Sequence, residues 1–289
     1  MEIKLINRYS KNILKHFNVN SFVETGTYMG ATLMAVKSWG FTGSIDATEY
    51  KKEYCEISAM WNILSALDII ERRPLYDDAP TLAELVQNAI DLNHKIYSVY
   101  DTDPKEVKVY HNLMNLMSAV SAAGLKGKWD LHSIALNTGW DRIVDRPLEL
   151  ERLSDFNIHL SDTRQYLSNT LPNHKKKNTF FYLDAHWDAD DYPLLEELEL
   201  LSSVSELTPI IAIDDFKTPG KRYGYDKYHD KICGPEFIMN SVKDLTDTIY
   251  CCPKSNIHNR GQGIIFYNRN KKDIQKFLDR YPLIEVPIK

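Results

Sequence analysis

The chain has 289 residues, 43% of them hydrophobic, and 40 Asp and Glu against 35 Lys and Arg give a net charge of -5 and a pI near 6.0. That is enough chain to bury a core in one large α/β domain, or in one domain with a sizeable insertion, while the acidic balance argues against general nucleic-acid binding, which needs an excess of basic residues on some surface. No apolar run approaches the roughly eighteen residues that cross a bilayer, MEIKLINRYSKNILKHF lacks a secretory apolar core, and four cysteines are too few for a disulfide framework, so a cytoplasmic protein with reduced thiols is expected.

In chain order, SFVETGTYMGATLMAVKSWG predicts a strand through about Glu24, a glycine-containing turn and a helix from about Met29 to Trp39 that stops at Gly40. GSIDATEY supplies a short second strand. From Ser65 to Asp155 the pattern turns helical. TLAELVQNAI places Leu82, Leu85, Val86, Ala89 and Ile90 on one face, and PKEVKVYHNLMNLMSAVSAAG places Val107, Tyr110, Met114 and Met117 on another before Gly124. Trp129 and Trp140 read as core. IHLSDTRQYL then resumes with a strand ending at Ser161-Asp162 and a further helix.

TFFYLD (Thr179 to Asp184) and PIIAIDD (Pro209 to Asp215) are apolar without alternation, as strands buried on both faces are. Between them PLLEELELLSSV has Leu194, Leu195, Leu198 and Leu201 at helical spacing behind Pro193, so the two strands should be parallel neighbours. DTIYCCPKSNIHNRGQGIIFYN reads as an antiparallel pair closing one sheet edge, and GKRYGYDKYHDK, directly after IDDF, as a flap or a surface loop. The expected organisation is an α/β domain of residues 1–64 and 156–289 interrupted by a mostly helical insertion of residues 65–155.

Two groups of residues point to chemistry. Glu24-Thr25-Gly26-Thr27-Tyr28-Met29-Gly30 joins a strand to a helix, where glycine lets backbone approach a ligand and a helix N-terminus offers free N–H groups; a plain tight turn would use the same glycines. Asp46, 22 positions after Glu24, suits ribose hydroxyls, with Glu49, Asp101 and Asp103 as rival acids. FFYLDAHWDADD ends a buried strand in four aspartates and a histidine. Asp188, Asp190 and Asp191 read as helix-capping or solvated residues.

FVETGTYMGATL, SIDATEY, IHLSDTRQYL, FFYLDAHWD with PLLEEL, and AIDDF occur in the order found in class I S-adenosylmethionine-dependent methyltransferases. The chain most resembles a bacterial branch with ETGTxxG, LDAHW and IDDF motifs, related to metal-assisted O-methyltransferases of sugars, antibiotics and catechols. The resemblance covers Ser21 to Ile63 and Asn157 to Tyr267, about two thirds of the chain by element order, and it implies a Rossmann-like, doubly wound, mostly parallel seven-stranded sheet with an antiparallel edge. It implies that Glu24, Gly26, Thr27, Tyr28 and Gly30 line the cofactor, with Glu24 and Gly26 at its methionine end, Asp46 at the ribose and Asp162 at the adenine amino group. It also implies that Asp184, Asp214 and Asp215 hold a magnesium or other divalent ion. A coordinated cation lowers the pKa of an acceptor hydroxyl, and His186, with Asp184, is then placed to take the proton.

The acceptor implied is a small molecule or saccharide, without nucleic acid or membrane as partner, and the insertion is expected to shape the acceptor pocket or a homo-oligomer contact. Two rival readings stand beside this one. Asp184, His186 and Asp188 match the ligand spacing of binuclear manganese ureohydrolases, although no Gly-Gly-Asp-His occurs in this chain. A non-catalytic protein that binds the cofactor or a partner is the other.

Overall fold

The computed structural model describes residues 7–66, 104–137, 153–185, 192–204, 206–256 and 258–288, together with 84 and 87. Its architecture is α/β, with a large mixed sheet of nine strands, parallel in the core. The chain divides into two compact units, Thr27–Ser161 on one hand and Glu2–Gly26 with Asp162–Lys289 on the other.

The second unit opens with helix α1 (Arg8–His16), capped by Asn7, whose side chain accepts the Tyr9 N–H. Strand β1 (Ser21–Thr25) is buried along its whole length, although Phe22 and Val23 are its only apolar residues and Ser21, Glu24 and Thr25 are buried with them. In the first unit, helix α2 (Ala31–Ser38) is followed by strand β2 (Ser44–Glu49), helices α3 (Lys52–Ala66) and α4 (Pro104–Gly124), strand β3 (Lys128–Asp130), helix α5 (Leu131–Asn137) and strand β4 (Phe156–Leu160). β2 and β4 are parallel, and β3 runs antiparallel to β4. The buried stripe of α4 is Leu113, Leu116 and Val120; Met114 and Met117 lie one residue off it and are half-buried. Trp129 is core, as expected, and its indole N–H donates to the Val120 carbonyl at 2.8 Å. Of the helix expected at Leu82–Ile90, Glu84 and Gln87 are described and are helical and exposed; its other residues and Trp140 lie outside the described residues.

The second unit resumes with helix α6 (Thr163–Thr170), strand β5 (Thr179–Leu183), helix α7 (Leu194–Ser203) and strand β6 (Ile210–Ile213). A short hairpin of β7 (Lys227–Tyr228) and β8 (Lys231–Ile232) precedes helix α8 (Pro235–Val242), strands β9 (Thr248–Cys251) and β10 (Gly263–Phe266), helix α9 (Lys271–Arg280) and strand β11 (Ile284–Pro287). β5 lies between β1 and β6 and is parallel to both, so β5, α7 and β6 form the strand–helix–strand unit that the leucine spacing predicted. β9 and β10 pair antiparallel, but they do not end the sheet: β10 also pairs with β6, and β11 pairs with β9 beyond. β3 and β11 raise the strand number above the seven expected. β3 has one apolar residue in three, and β11 alternates half-buried with exposed positions, so neither carries the continuous apolar run that marks β5 and β6.

Strand pleating gives the central sheet two chemically different faces. Val23, Phe181 and Ile211 are in register, with Leu183 and Ile213 beyond them, and belong to the core cluster shared with Leu198 and Leu201 of α7 and Ile238 and Val242 of α8. The opposite face carries Phe22, stacked on Phe180 at 5.7 Å, and then Glu24, Tyr182 and Ala212 in register. Glu24 is 1% exposed, and a carboxylate in that position is costly unless it is paired or used.

Candidate functional site

Asp184 and Asp214 are the residues immediately after β5 and β6, and the parallel register of those strands brings them together. The Asp184 N–H donates to the Thr25 carbonyl and the Asp214 N–H to the Leu183 carbonyl, both at 3.1 Å, so strand pairing fixes both backbones up to the acids. Asp215 follows with φ 49°, a left-handed conformation uncommon outside glycine that turns its side chain out of the strand's alternation. Asp184, Asp214 and Asp215 offer carboxylate oxygens that all lie within 4.8 Å of one another, the one such group of three among the described residues. Burial raises the Asp184 pKa well above the ordinary carboxylate range, and Asp214, Asp215, Glu24 and Asp226 add to the rise. The Tyr182 hydroxyl, fully buried beneath them, hydrogen-bonds Asp214 and is likewise held in its protonated form by burial and then by Asp214. Oxygen donors converging at the carboxyl ends of adjacent parallel strands suit a hard divalent cation.

Three residues that the motifs do not single out complete this site. The Arg260 guanidinium donates from Nε to Asp215 Oδ1 at 2.5 Å and from a terminal nitrogen to Asp226 Oδ1, and these carboxylates, Asp215 first, raise its pKa further. Asp226 is tied to the cluster by its backbone as well, its N–H donating to the Asp215 carbonyl at 2.9 Å. Gly261 brings the Arg260 loop in: its carbonyl accepts the Phe216 N–H at 3.0 Å, and a Cβ there would meet the Phe216 carbonyl oxygen at 2.2 Å. The only sequence signal was the glycine spacing of RGQG, which reads as a turn.

The segment read as a flap or surface loop is anchored. Tyr228 stacks on Tyr192 with ring centres 3.5 Å apart, its hydroxyl donates to Asp226 at 3.2 Å, and Tyr223 donates to the Pro253 carbonyl at 2.6 Å. Cys233 is buried beside them, its thiol pushed up to about 12 chiefly by that burial, so it is an inert core thiol. His186, Asp188, Asp190 and Asp191 lie outside the described residues.

The glycine turn has a packing reason of its own. Gly26 has φ +72°, and a Cβ there would come within 2.6 Å of the Ala185 Cα and 2.7 Å of the Asp184 carbonyl oxygen, so only glycine lets β1 run out beside the exit of β5. In the other unit, Gly30 has φ +75° and would press a Cβ against the Ser58 hydroxyl on α3 at 2.1 Å. Between them the Thr27 N–H donates to the Thr48 carbonyl at 2.9 Å, and Tyr28, at φ 48°, donates its N–H to Glu49 Oε2 at 2.9 Å.

β2 runs three residues past Asp46, so Glu49 is the acid at its carboxyl end. Glu49 also accepts the N–H groups of Tyr50 and Lys51 on Oε1, each at 3.0 Å, and burial, partly offset by these donors, raises its pKa. Asp46 lies within the strand, where it accepts from Asn157 at 3.3 Å and contacts His159 Nε2 at 3.2 Å. Asp162 caps α6, accepting the N–H of Arg164 at 2.9 Å and its guanidinium at 3.0 and 2.7 Å, and these hydrogen bonds lower its pKa. Asp101 and Asp103 lie outside the described residues.

The acid cluster makes a stability prediction. The folded chain binds the Asp184 proton more tightly than the unfolded chain does, so this group favours folding below the ordinary carboxylate range and that contribution is lost as pH rises through the raised value. Asp184→Asn is therefore expected to stabilise the metal-free protein at pH 7 by about 1 kcal/mol and to flatten its dependence on pH. Urea unfolding of both proteins checks this; a lower midpoint for the variant would mean that the carboxylate is a net stabilising partner.

No protein-family model matches the chain, and no curated protein matches it.

Proposed function

We propose that the chain is an S-adenosylmethionine-dependent methyltransferase with a Rossmann-like catalytic fold, acting with a divalent cation on a hydroxyl of a small molecule or saccharide. The observation that supports this most is the convergence of Asp184, Asp214 and Asp215 at the ends of two adjacent parallel strands, in a chain whose ETGTYMG turn and IDDF motif resemble those methyltransferases. These three carboxylates fit a magnesium-type ion because they are all oxygen donors whose atoms lie within 4.8 Å of one another. When bound, such an ion lowers the pKa of an acceptor hydroxyl and orients its oxygen.

The chain's own residues supply the rest. Arg260 holds Asp215, and the Tyr182 hydroxyl holds Asp214, so two of the three acids are oriented before any ion arrives. His186, two positions past Asp184, is the candidate to accept the proton that the hydroxyl loses, with Asp184 as the second. Glu49 joins Asp46 as a candidate for the cofactor's ribose, because it ends β2 and the three turn N–H groups hold its carboxylate in one orientation while leaving a lone pair on Oε2.

Isothermal titration with S-adenosylmethionine, with and without magnesium, tests the proposal. Micromolar binding is expected, weakened about tenfold or more by Glu49→Gln, while Asp214→Asn with Asp215→Asn keeps the cofactor and loses the metal. Absence of cofactor binding under every condition would end this reading, and manganese-dependent hydrolysis of guanidino compounds would be the next assay.

A further inference from the structure

Residues 217–231 hold Lys217, Lys221, Arg222, Lys227 and Lys231, five of the chain's 35 basic residues within fifteen positions of an acidic protein. None of the five forms an ion pair among the described residues. The segment's two acids do not neutralise them: Asp226 is committed to Arg260, and Asp230 is exposed at the hairpin tip. Lys217 and Lys227 converge on one aromatic ring, their ammonium groups 5.7 and 5.9 Å from the centre of Tyr225. The ring attracts both ammonium groups, and an anion would add the counter-charge that a ring does not supply.

The backbone ties this pair to the acid cluster. Lys217 lies two residues past Asp215 and its N–H donates to the Cys233 carbonyl at 2.7 Å, while Lys227 directly follows Asp226, whose N–H donates to the Asp215 carbonyl. Building on the proposed function, we infer that the acceptor is anionic: a phosphate or carboxylate group of the substrate binds between Lys217 and Lys227 over Tyr225, while its hydroxyl is presented at the cluster of Asp184, Asp214 and Asp215. Lys221 and Arg222, exposed on the same segment, extend the positive field that draws such a substrate in.

The test is titration of the full chain, at fixed ionic strength, with inorganic phosphate and separately with acetate, followed by chemical shifts. Saturable phosphate binding in the millimolar range is expected, weakened about tenfold by Lys217→Gln with Lys227→Gln and unchanged by Lys271→Gln, whose ammonium is paired with Asp247 elsewhere. A stronger response to acetate than to phosphate would assign a carboxylate substrate. Repeating the titration in chelator and on Asp214→Asn separates the two sites: binding that disappears with the metal and ignores the lysines would overturn the inference, as would equal binding by wild type and the lysine variant, or none. S-adenosylmethionine titrated into the same samples keeps the readings apart. Cofactor binding without lysine-dependent phosphate binding rejects the anionic acceptor alone, and the reverse rejects the methyltransferase reading alone.

Discussion

Replacing Arg260 with Gln is expected to lower the stability of the metal-free protein by about 2 kcal/mol, because removing one partner of a partly buried ion pair leaves the remaining charges uncompensated. Asp215 and Asp226 are 18% and 24% exposed, too enclosed for water to take over from the guanidinium in full. The effect should be larger than that of losing one pair, since both carboxylates would then also repel Asp184 and Asp214. Added magnesium or manganese should restore more stability to the variant than to the wild type, as a second cation takes up charge that the arginine had balanced. Urea midpoints with and without the ion give the answer. A variant as stable as wild type would mean that the acids are solvated well enough to need no counter-charge. Equal rescue of both proteins would mean that Arg260 and the ion do not share Asp215.

Gly26→Ala is expected to destabilise the chain by about 3 kcal/mol or more without any cofactor present. Two penalties combine: a left-handed φ of +72°, and a Cβ 2.6 Å from the Ala185 backbone that no rotamer can relieve. Because Asp184 immediately precedes Ala185, movement of that backbone would also disturb the acid cluster, and metal affinity should fall together with stability. Thermal unfolding and metal titration of the variant check both. Normal stability would leave ligand approach as the reason for glycine. The consequence for experiment is that substitutions at Gly26 do not report cleanly on the cofactor, whereas Glu49→Gln removes a charge at a position that tolerates a side chain of that size.

Most of the central elements were legible because burial on both faces leaves a plain mark. The apolar runs of β5 and β6 and the leucine spacing of α7 admit few other arrangements, and Asp184, Asp214 and Asp215 end those two runs. The peripheral strands left weaker marks. Lys128-Trp129-Asp130 and Ile284-Glu285-Val286-Pro287 become strands because a neighbouring strand offers them hydrogen bonds, a property of the neighbour. On α4 the buried Leu113 and Leu116 stand one residue before the predicted Met114 and Met117 for a similar reason: leucine and methionine are interchangeable as apolar letters, and only packing shows which of them point inward.

The chain's sequence by itself determined that the fold is α/β, that two parallel strands carry acids at their ends, and that glycines stand where β1 turns into α2, because local periodicity and backbone restriction act over a few neighbouring residues. Only the tertiary structure decided that Arg260 and Asp226, 45 and 11 positions from Asp215, are part of the same electrostatic cluster, that Glu49 and not Asp46 ends β2, and that Gly26 is pressed against the exit of β5. Charge pairing and backbone contact act through space, and a chain that brings residues 184, 215, 226 and 260 together does so by strand register and loop closure, which no short window of sequence contains.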